Sequence, residues 1–357
     1  MAVTIVVGGQ FGSEGKGKVA ALFAGSRSAQ AVVRVGGPNS GHTPALEGLS
    51  ALRQLPTAAY GSDAVCVLPA GSYIRPGLLA EEIALTRLPP SRLVIDRNAS
   101  VVTSEDESEE SKNGLVTAIG STGSGTGRAV ARRVERRNDV KLAQDIPELH
   151  QYLGDAPQFL RDLLQKKGRV VIEGSQGIGL SLLHGGEYPF ATSRDVSAAG
   201  ALSETGLSPV DVDEVVLVLR AFPIRVAGNS GSLPAEMTWD EVAKYGGHDH
   251  SIVEFTTVTQ RVRRVGAFDP DVVRRALAVN RPTTVVMNHL DYIDHHACLS
   301  GEPTPRVMKF VAAVENSIGY PIDLMGLRRS SVISRCDQRT NDKLEIESFP
   351  LTYADSR

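Results

Sequence analysis

A glycine-rich turn near the start of the chain has the residue types needed to hold phosphate. Residues 8–18 read GGQFGSEGKGK and stand between the apolar run 3–7 and the apolar stretch 19–23. A strand that ends in such a turn and continues as a helix directs unpaired backbone N–H groups and the positive end of the helix dipole at one point. The glycines let the backbone approach a ligand, and Lys16 supplies a cation for the outer phosphates. The turn therefore predicts a nucleoside phosphate site.

The turn departs from a standard P-loop. Five residues rather than four separate Gly9 from Gly15, and Gly17 stands where a Ser or Thr would bind magnesium. A plain glycine turn between strand and helix is the structural alternative, and the paired lysines Lys16 and Lys18 favour phosphate over it. A metal at this turn would need a further ligand.

A second glycine-rich segment extends the pattern. Residues 32–43 read VVRVGGPNSGHT, and the pairing of this segment with the first turn resembles adenylosuccinate synthetases. The resemblance covers nearly the whole chain, in order, through residues 119–123 (IGSTG), 131–133 (ARR), 173–177 (EGSQG), 188–193 (YPFATS), 263–266 (RRVG) and 288–291 (NHLD). It implies an enzyme that uses a nucleoside triphosphate to phosphorylate the 6-oxygen of a purine monophosphate, after which the amino group of aspartate displaces the phosphate.

The resemblance implies roles for residues of both segments. His42 is expected to donate a hydrogen bond to the oxygen on which charge builds up, and the predicted catalytic set is Ser13, Lys16, His42 and Gln176. A lone histidine is usually structural, but this one sits in a glycine loop that faces a second glycine loop. The residues expected around the triphosphate are Gly12, Glu14, Gly15, Lys16, Gly17, Gly41, His42, Thr43, Arg263, Asn288, His289, Asp291 and Ser334.

Ser13 is the informative departure from the family pattern. The resemblance implies an aspartate there, which takes the N1 proton of inosine monophosphate, and a serine hydroxyl cannot do so at neutral pH without a neighbouring base. The 2-amino group of guanine would point toward this position, where a hydroxyl leaves space and accepts a hydrogen bond. The same change marks the viral 2-aminoadenylosuccinate synthases, which act on deoxyguanylate, and the chain resembles them. Ser13 therefore favours dGMP as the acceptor, against the alternative of a sluggish synthetase.

The resemblance also implies subsites for the acceptor and for aspartate. The purine monophosphate is expected to contact Ser13, Asn39, Ser121, Thr122, Arg132, Gln176, Thr192 and Arg261. Arg132 is expected to reach in from the partner subunit of a homodimer. L-aspartate is expected to contact Thr257, Val258, Thr259, Gln260, Arg261 and Arg263, because guanidinium groups match carboxylates. The structural alternatives are a flexible linker for residues 120–127 and a solvated basic face for the arginine segment.

Magnesium and the phosphate donor complete the expectations. Mg²⁺ is expected to bridge the triphosphate and the 6-oxygen, with the carbonyl of Gly41 and, as a weaker ligand, the hydroxyl of Ser13. In the family, a Thr-Lys-Leu-Asp stretch contacts the guanine of GTP, and the matching residues here are 288–291. A second stretch that contacts the guanine matches residues 334–337. Both differ from the GTP pattern, so ATP or dATP is the expected donor.

Composition and charge narrow the class of protein. The formal charge of −3 gives no basic field for nucleic acid, and 41% hydrophobic residues over 357 positions are enough for a large core. Cys66, Cys298 and Cys336 are too few and too scattered for a disulfide framework or a zinc site, which fits a reducing compartment. No apolar run is long enough to cross a membrane and no export signal precedes the first strand, so we expect a cytoplasmic enzyme, in the host cytoplasm if the protein is viral.

Strands and helices are predicted to alternate along the chain. Strands are expected at residues 3–7, 31–35, 64–68, 92–95, 170–172, 215–219, 284–287 and 331–334, and helices at residues 77–88, 157–167, 270–279 and 306–318. The pattern predicts an α/β fold with a mostly parallel central sheet flanked by helices, as one domain over residues 1–357 with peripheral elaborations. The acidic segment 104–111 is predicted to be a solvated helix start or loop.

Three functions are compatible with the sequence. The leading one is a ligase that joins L-aspartate to dGMP at the expense of ATP or dATP. The second is an ordinary adenylosuccinate synthetase that uses inosine monophosphate, aspartate and GTP. The third is a non-catalytic nucleotide-binding switch, against which His42, Gln176 and the arginine segment count, because a switch has no use for them.

Overall fold

The structure is a computed structural model that describes residues 2–46, 48–257 and 259–335. Val258, Cys336 and Asp337, for which the sequence carries expectations, lie outside these ranges. The strands are β1 (Val3–Gly8), β2 (Ala31–Arg34), β3 (Val65–Leu68), β4 (Tyr73–Ile74), β5 (Leu93–Asp96), β6 (Ser100–Val101), β7 (Leu153–Gly154), β8 (Val170–Gly177), β9 (Val212–Arg220), β10 (Ile224–Arg225), β11 (Glu236–Met237), β12 (Arg264–Gly266), β13 (Thr284–Asn288), β14 (Leu324–Arg328) and β15 (Ser331–Ser334).

The helices surround these strands in the sequence. They are α1 (Lys16–Ser26), α2 (Pro76–Thr86), α3 (Ser104–Lys112), α4 (Leu115–Ile119), α5 (Thr126–Val134), α6 (Ala156–Gln165), α7 (Ala198–Thr205), α8 (Trp239–Gly246), α9 (Pro270–Asn280), α10 (His295–Ser300) and α11 (Pro305–Ile318). Within the described ranges, no helix combines the length and the apolar character needed to span a bilayer.

A large sheet dominates the fold. Its strand order is β15-β14-β13-β9-β1-β8-β2-β3-β5-β7, and its paired strands run parallel except for β14 and β15. The central strand β1 is buried along its whole length, and its side chains alternate between two cores. Ile5 and Val7 pack with α6, α7, α9 and α11 on one face, whereas Val6 packs with α1 on the other face. The predicted mostly parallel sheet with helices on both faces is confirmed.

The predicted elements are present with small shifts of their ends. The run 170–172 is only the first part of β8, and the run 215–219 lies inside β9. The sequence did not predict the small antiparallel sheet of β10, β12 and β11, because strands of two or three residues are too short to show a period.

The parallel sheet brings the chemically interesting segments to one edge. Strands β1, β8, β9 and β13 lie close together in the sheet, and parallel strands end on the same side. The phosphate turn follows β1, Gln176 lies at the end of β8, Arg220 ends β9 and Asn288 ends β13. Ligands of open α/β sheets bind at this carboxyl edge.

A buried ion pair connects α3 to α5. Arg132 Nη2 donates to Asp106 Oδ2 at 2.9 Å, and the two residues are 7% and 1% exposed. Asp106 also forms a capping box with Thr103. The acidic segment 104–111 is helical, which is one of the two predicted alternatives, but it is not fully solvated, because Asp106 and Glu110 are buried. Within this chain Asp106 holds the guanidinium of Arg132, and the expected role of Arg132 at a partner subunit stays a prediction.

Asp106→Ala is expected to destabilise the fold by about 3 kcal/mol, because it leaves the Arg132 guanidinium buried without its partner. Glu105→Ala is the matched control on the same helix, since Glu105 is exposed, and it should change the free energy of unfolding by less than about 0.5 kcal/mol. Urea denaturation of the two variants and the wild type measures both effects. Equal stability of the two variants would contradict the assigned role of the pair.

Candidate active site

Glu14 fixes the shape of the phosphate turn. Its Oε1 accepts hydrogen bonds from the backbone N–H groups of Gln10 and Gly12, at 3.1 and 2.8 Å. Its Oε2 lies 2.6 Å from the Lys16 ammonium, and the Glu14 side chain has no exposed surface. Glu14 was expected beside the triphosphate, but its carboxylate is used inside the turn and lies behind the wall that a ligand would touch.

Two glycines make room for that carboxylate. A Cβ on Gly177 would lie 2.3 Å from Glu14 Oε1, and a Cβ on Gly8 would lie 2.6 Å from Glu14 Oε2. Both distances are far below van der Waals contact, so a side chain at either position would displace Glu14. Strands β1 and β8 thus end in glycine because the Glu14 carboxylate occupies the space between them.

His42 belongs to a buried network with Glu173 and Arg34. Nδ1 of the ring lies 2.6 Å from Glu173 Oε1, and Arg34 Nη1 lies 2.5 Å from Nδ1 and 3.0 Å from Nε2. In the neutral tautomer that carries its proton on Nδ1, this proton is donated to Glu173 and Nε2 accepts from Arg34. Burial and the neighbouring Arg34 lower the pKa of His42 to about 3. Burial acts to raise the pKa of Glu173, but the hydrogen bond from His42 and the charge of Arg34 outweigh it, and that pKa is lowered. The network therefore consists of a neutral imidazole, a carboxylate and a guanidinium.

Arg220 connects the phosphate turn to Glu254, which precedes the arginines Arg261 and Arg263 in the chain. Its Nη1 donates to the carbonyl of Ser13 at 3.0 Å, and its Nη2 lies 2.5 Å from Glu254 Oε1. Glu254 also receives Arg263 Nη1 at 3.3 Å and the Tyr292 hydroxyl at 3.0 Å. Burial acts to raise the pKa of Glu254, but Arg220 and its other cationic neighbours outweigh it and lower that pKa to about 2. The carboxylate thus holds Ser13 and Arg263 in fixed relation.

The predicted aspartate segment is a tight turn beside the second glycine loop. Thr256 N–H donates to the Arg261 carbonyl at 2.8 Å, and Arg261 N–H donates to Thr256 Oγ1 at 3.0 Å. A Cβ on Gly41 would lie 2.6 Å from Thr257 Cγ2, so the two loops touch. Arg261 is exposed at this turn, where its guanidinium can meet a carboxylate.

A cavity of about 410 Å³ opens between these loops, which suits a nucleotide-sized ligand. The predicted site residues on its wall are Gly12, Ser13, Lys16, Asn39, Gly41, His42, Ser121, Thr122, Gln176, Thr192, Thr257, Thr259, Arg261 and Arg263. Predicted residues that are described but stand away from this wall are Glu14, Gly15, Gly17, Thr43, Arg132, Gln260, Asn288, His289, Asp291 and Ser334.

Hydroxyl and amide groups line the acceptor side of the cavity. Asn39 Nδ2 donates to Thr192 Oγ1 at 3.4 Å, and Thr122 Oγ1 donates to Ser124 Oγ at 3.0 Å. The segment 120–127 is therefore an ordered part of the wall rather than a flexible linker. On the opposite side, the Arg225 guanidinium lies 4.0 Å above the ring of Phe11, a residue of the phosphate turn.

The residues expected to read the triphosphate base form a separate cluster behind the phosphate turn. Asn288 Nδ2 donates to the Glu14 carbonyl at 2.8 Å. Burial lowers the pKa of His289 to about 3, so its imidazole is neutral, and burial raises the pKa of Asp291 to about 6. Burial also lowers the pKa of the nearby Lys18 to about 8. These groups can exchange hydrogen bonds with the edge of a base, and the cluster is continuous with the turn through Asn288.

The two protein oxygens expected to hold magnesium, the Ser13 hydroxyl and the Gly41 carbonyl, are neutral. No group of three or more His, Cys, Asp or Glu side chains in the described part of the chain has the geometry to hold a metal ion. Ser13 and Gly41 both lie on the cavity wall with Lys16. This donor set fits an Mg²⁺ ion held mainly by phosphate oxygens of the substrates, which is how Mg²⁺ usually binds at nucleotide sites.

Four residues of this site, three of them buried and Glu254 partly buried, were not singled out from the sequence. Arg34 and Glu173 lie inside segments that carried the family resemblance, so their position was a usable signal. Arg220 and Glu254 carried no such signal in the sequence. They are 34 residues apart, and the sequence does not distinguish a buried arginine from an exposed one. Only the fold shows that the two form an ion pair.

Comparison with known proteins identifies the family. The family model described as adenylosuccinate synthetase matches residues 5–145 and 140–300. The adenylosuccinate synthetase of Archaeoglobus fulgidus is 37% identical over 330 residues, which cover 91% of this chain and 95% of that protein. That of Thermococcus onnurineus is 37% identical over 343 residues, which cover 93% and 98%.

Two solved structures share the fold. Cyanophage S-2L succinoaminodeoxyadenylate synthetase (PurZ), bound to dGMP and to dATP as an energy donor, superposes with a TM-score of 0.78 at 28% identity and covers 93% of this chain and 95% of its own. Fully ligated adenylosuccinate synthetase from Plasmodium falciparum superposes with a TM-score of 0.79 at 19% identity over 94% and 100%. The chain belongs to the adenylosuccinate synthetase family, a family of ligases that form C–N bonds, and this sets aside the non-catalytic switch.

Gly177→Ala is expected to destabilise the protein by about 1 to 3 kcal/mol, because its Cβ would overlap the Glu14 carboxylate and force it out of the turn. The matched control is Gly77→Ala in α2, where an added Cβ meets no atom within 4 Å and no loss of stability is expected. Thermal unfolding of both variants measures the difference. A Gly177→Ala protein as stable as the control would show that the turn tolerates a displaced Glu14.

Proposed function

We propose that this adenylosuccinate synthetase family member joins L-aspartate to dGMP at the expense of ATP or dATP. In the first step the γ-phosphoryl group passes to the 6-oxygen of guanine, and N1 loses its proton. In the second step the amino group of aspartate attacks carbon 6, and inorganic phosphate leaves with the oxygen. The product is N6-succino-2-amino-2′-deoxyadenylate, a precursor of 2-aminoadenine nucleotides.

The observation that carries this proposal is the residue at position 13. Ser13 lies on the cavity wall with Gln176, and its backbone has a positive φ of 56°. Asp and Asn tolerate such a conformation better than other residues with a side chain, so backbone preference does not explain a serine here. What serine offers is a short, uncharged hydroxyl that leaves room for the 2-amino group of guanine and accepts a hydrogen bond from it.

The relatives support two different acceptors. PurZ, whose structure contains dGMP and dATP, is 28% identical to this chain, and it favours the proposed substrates. The archaeal relatives at 37% identity carry the name adenylosuccinate synthetase, which favours inosine monophosphate with GTP as the second candidate. Ser13 and the replacement of the family's base-reading lysine by His289 favour the first candidate.

His42 is suited to follow the proton that leaves N1. Its Nε2 carries a lone pair, because Nδ1–H is bound to Glu173, and Ser13 has no basic group to offer. Burial and Arg34 hold the pKa of His42 near 3, so Nε2 can take up a proton only once the substrate has displaced Arg34. The protonated ring then becomes a donor to the 6-oxygen as negative charge develops there. The carboxylate of Glu173 then stabilises the imidazolium. His42 thus serves both as the proton acceptor and as the hydrogen-bond donor to the 6-oxygen.

The other subsites follow from the charges on the wall. Lys16 and the N–H groups of the phosphate turn hold the triphosphate. Arg261 and Arg263 hold the carboxylates of aspartate. Gly41 and Ser13 would hold an Mg²⁺ ion, which would supply positive charge against the phosphate oxygens. Asn39, Thr122 and Thr192 bind the acceptor phosphate and sugar.

A homodimer stays part of the proposal, with Arg132 as the arginine expected to reach a second copy. Within the single chain its guanidinium is bound to Asp106. Arg136, just beyond the end of α5, is exposed and has no side-chain partner among the described residues.

The direct test is phosphate release with Mg²⁺, L-aspartate and each pairing of dGMP or inosine monophosphate with ATP, dATP or GTP. We expect release with dGMP and an adenine triphosphate, and aspartate-dependent formation of the succino product by mass spectrometry. Omitting aspartate is the control for simple hydrolysis. Turnover of inosine monophosphate alone would establish the second candidate instead.

Ser13→Asp is expected to reduce kcat/KM for dGMP at least about tenfold, because a larger anionic side chain crowds the 2-amino group and removes the neutral acceptor. Ser13→Asn is the matched control, since it has the same size without the charge. Loss in both variants assigns the effect to space, and loss in Ser13→Asp alone assigns it to charge. Unchanged dGMP kinetics in both variants would remove the basis for the proposed acceptor.

A further inference from the structure

Glu110 is a buried carboxylate on the wall of the cavity. It lies on α3, is 5% exposed and faces the same cavity as Ser13, His42 and Thr122. Its Oε1 accepts a hydrogen bond from the Ser121 hydroxyl. Its Oε2 is buried and has no hydrogen-bond partner. Among the described residues that line the cavity, Glu110 is the one carboxylate.

An unpartnered carboxylate oxygen in a buried position is costly. Buried polar atoms in folded proteins nearly always have a partner, and exceptions mark functional groups. Among the described cationic side chains of the same wall, none forms an ion pair with Glu110, and Lys16, Arg225 and Arg263 are bound to other carboxylates. The missing partner is therefore expected to come from a ligand.

We infer that Glu110 is a specificity-determining residue for the acceptor nucleotide, and that its Oε2 accepts a hydrogen bond from a neutral N–H or O–H group of that nucleotide. The inference rests on the proposed function for the class of acceptor, a purine monophosphate. The link to Ser121 places the carboxylate beside Thr122 and the hydroxyl groups of the acceptor side. A carboxylate only accepts hydrogen bonds, so it selects nucleotides that present a donor at this point.

N1–H of guanine is set aside as the recognised donor, because its proton leaves in the first step of the proposed reaction. Two other groups of dGMP have the required chemistry: the 2-amino group of guanine is an N–H donor, and the 3′-hydroxyl of the deoxyribose is an O–H donor. The phosphate oxygens are excluded, because two anions would repel each other in this low-dielectric position. Acceptors that lack one donor at a time distinguish the two sources: dIMP has no 2-amino group, and 2′,3′-dideoxyguanosine monophosphate has no 3′-hydroxyl.

The test compares Glu110→Met with the wild type on dGMP, dIMP and the dideoxy nucleotide. Methionine keeps the size of glutamate but cannot accept the hydrogen bond, so kcat/KM for an acceptor that carries the recognised donor should fall about tenfold. For the acceptor that lacks that donor, the variant and the wild type should be nearly equal. Glu105→Met, at an exposed position of the same helix, is the control and should match the wild type on all three acceptors.

Glu110→Gln separates hydrogen bonding from structural support. The amide can turn its oxygen to the nucleotide and its NH₂ group to Ser121, whose hydroxyl can act as acceptor. We therefore expect this variant to recover most of the activity that Glu110→Met loses, with the KM for aspartate unchanged in both. Thermal unfolding of each variant shows whether the fold is intact.

The outcomes are distinct. A loss confined to acceptors with the 2-amino group assigns the amine, and a loss confined to acceptors with the 3′-hydroxyl assigns the sugar. No loss, or an equal loss on all three acceptors, overturns the inference, and a change of oligomeric state with the equal loss would point to a second copy as the partner. If the wild type uses inosine monophosphate rather than dGMP, the proposed function fails, and the same comparison of inosine monophosphate with its 3′-deoxy form still tests Glu110.

Discussion

The site depends on one buried carboxylate that has no contact with the cavity. Glu14 holds the backbone N–H groups of Gln10 and Gly12 and the ammonium of Lys16 at once. A turn of this composition would otherwise sample many conformations, because glycine restricts the backbone so little. The turn is thus shaped before any phosphate arrives, and its N–H groups do not have to be ordered at the cost of binding energy.

The parallel sheet connects Glu14 and its neighbour Ser13 to the ends of four strands. Glu14 occupies space that two glycines leave at the ends of the neighbouring strands β1 and β8, and its carbonyl is held by Asn288 at the end of β13. Ser13 is held by Arg220 at the end of β9. Four strand ends therefore fix two consecutive residues of the turn. A change at Asn288 and a change at Arg220 would each reach the turn through a single hydrogen bond.

The sequence predicted the parts of the fold that repeat a local pattern. The spacing of apolar residues within the run 3–7 and within the helix 306–318 is enough to predict a strand and a helix. The glycine segments 8–18 and 36–41 indicated the phosphate turn. The sequence could not predict partners that are brought together by the fold. The ion pair of Arg132 is the clear case: nothing in the sequence indicated a partner for Arg132 within its own chain, and only the packing of α3 against α5 shows that Asp106 is its partner.

The charges of the cavity explain why a neutral residue at position 13 is physically reasonable. Among described residues, four cationic side chains and the single carboxylate of Glu110 line the wall, which suits a site that must hold two phosphate-bearing substrates and a dicarboxylate. A carboxylate at position 13 would add a second anion beside the transferring phosphoryl group. Such a carboxylate is favourable where it removes the N1 proton and contacts magnesium. Its charge is unfavourable where another group removes that proton. Under the proposed function His42, which Glu173 orients, is the residue that would take up that proton.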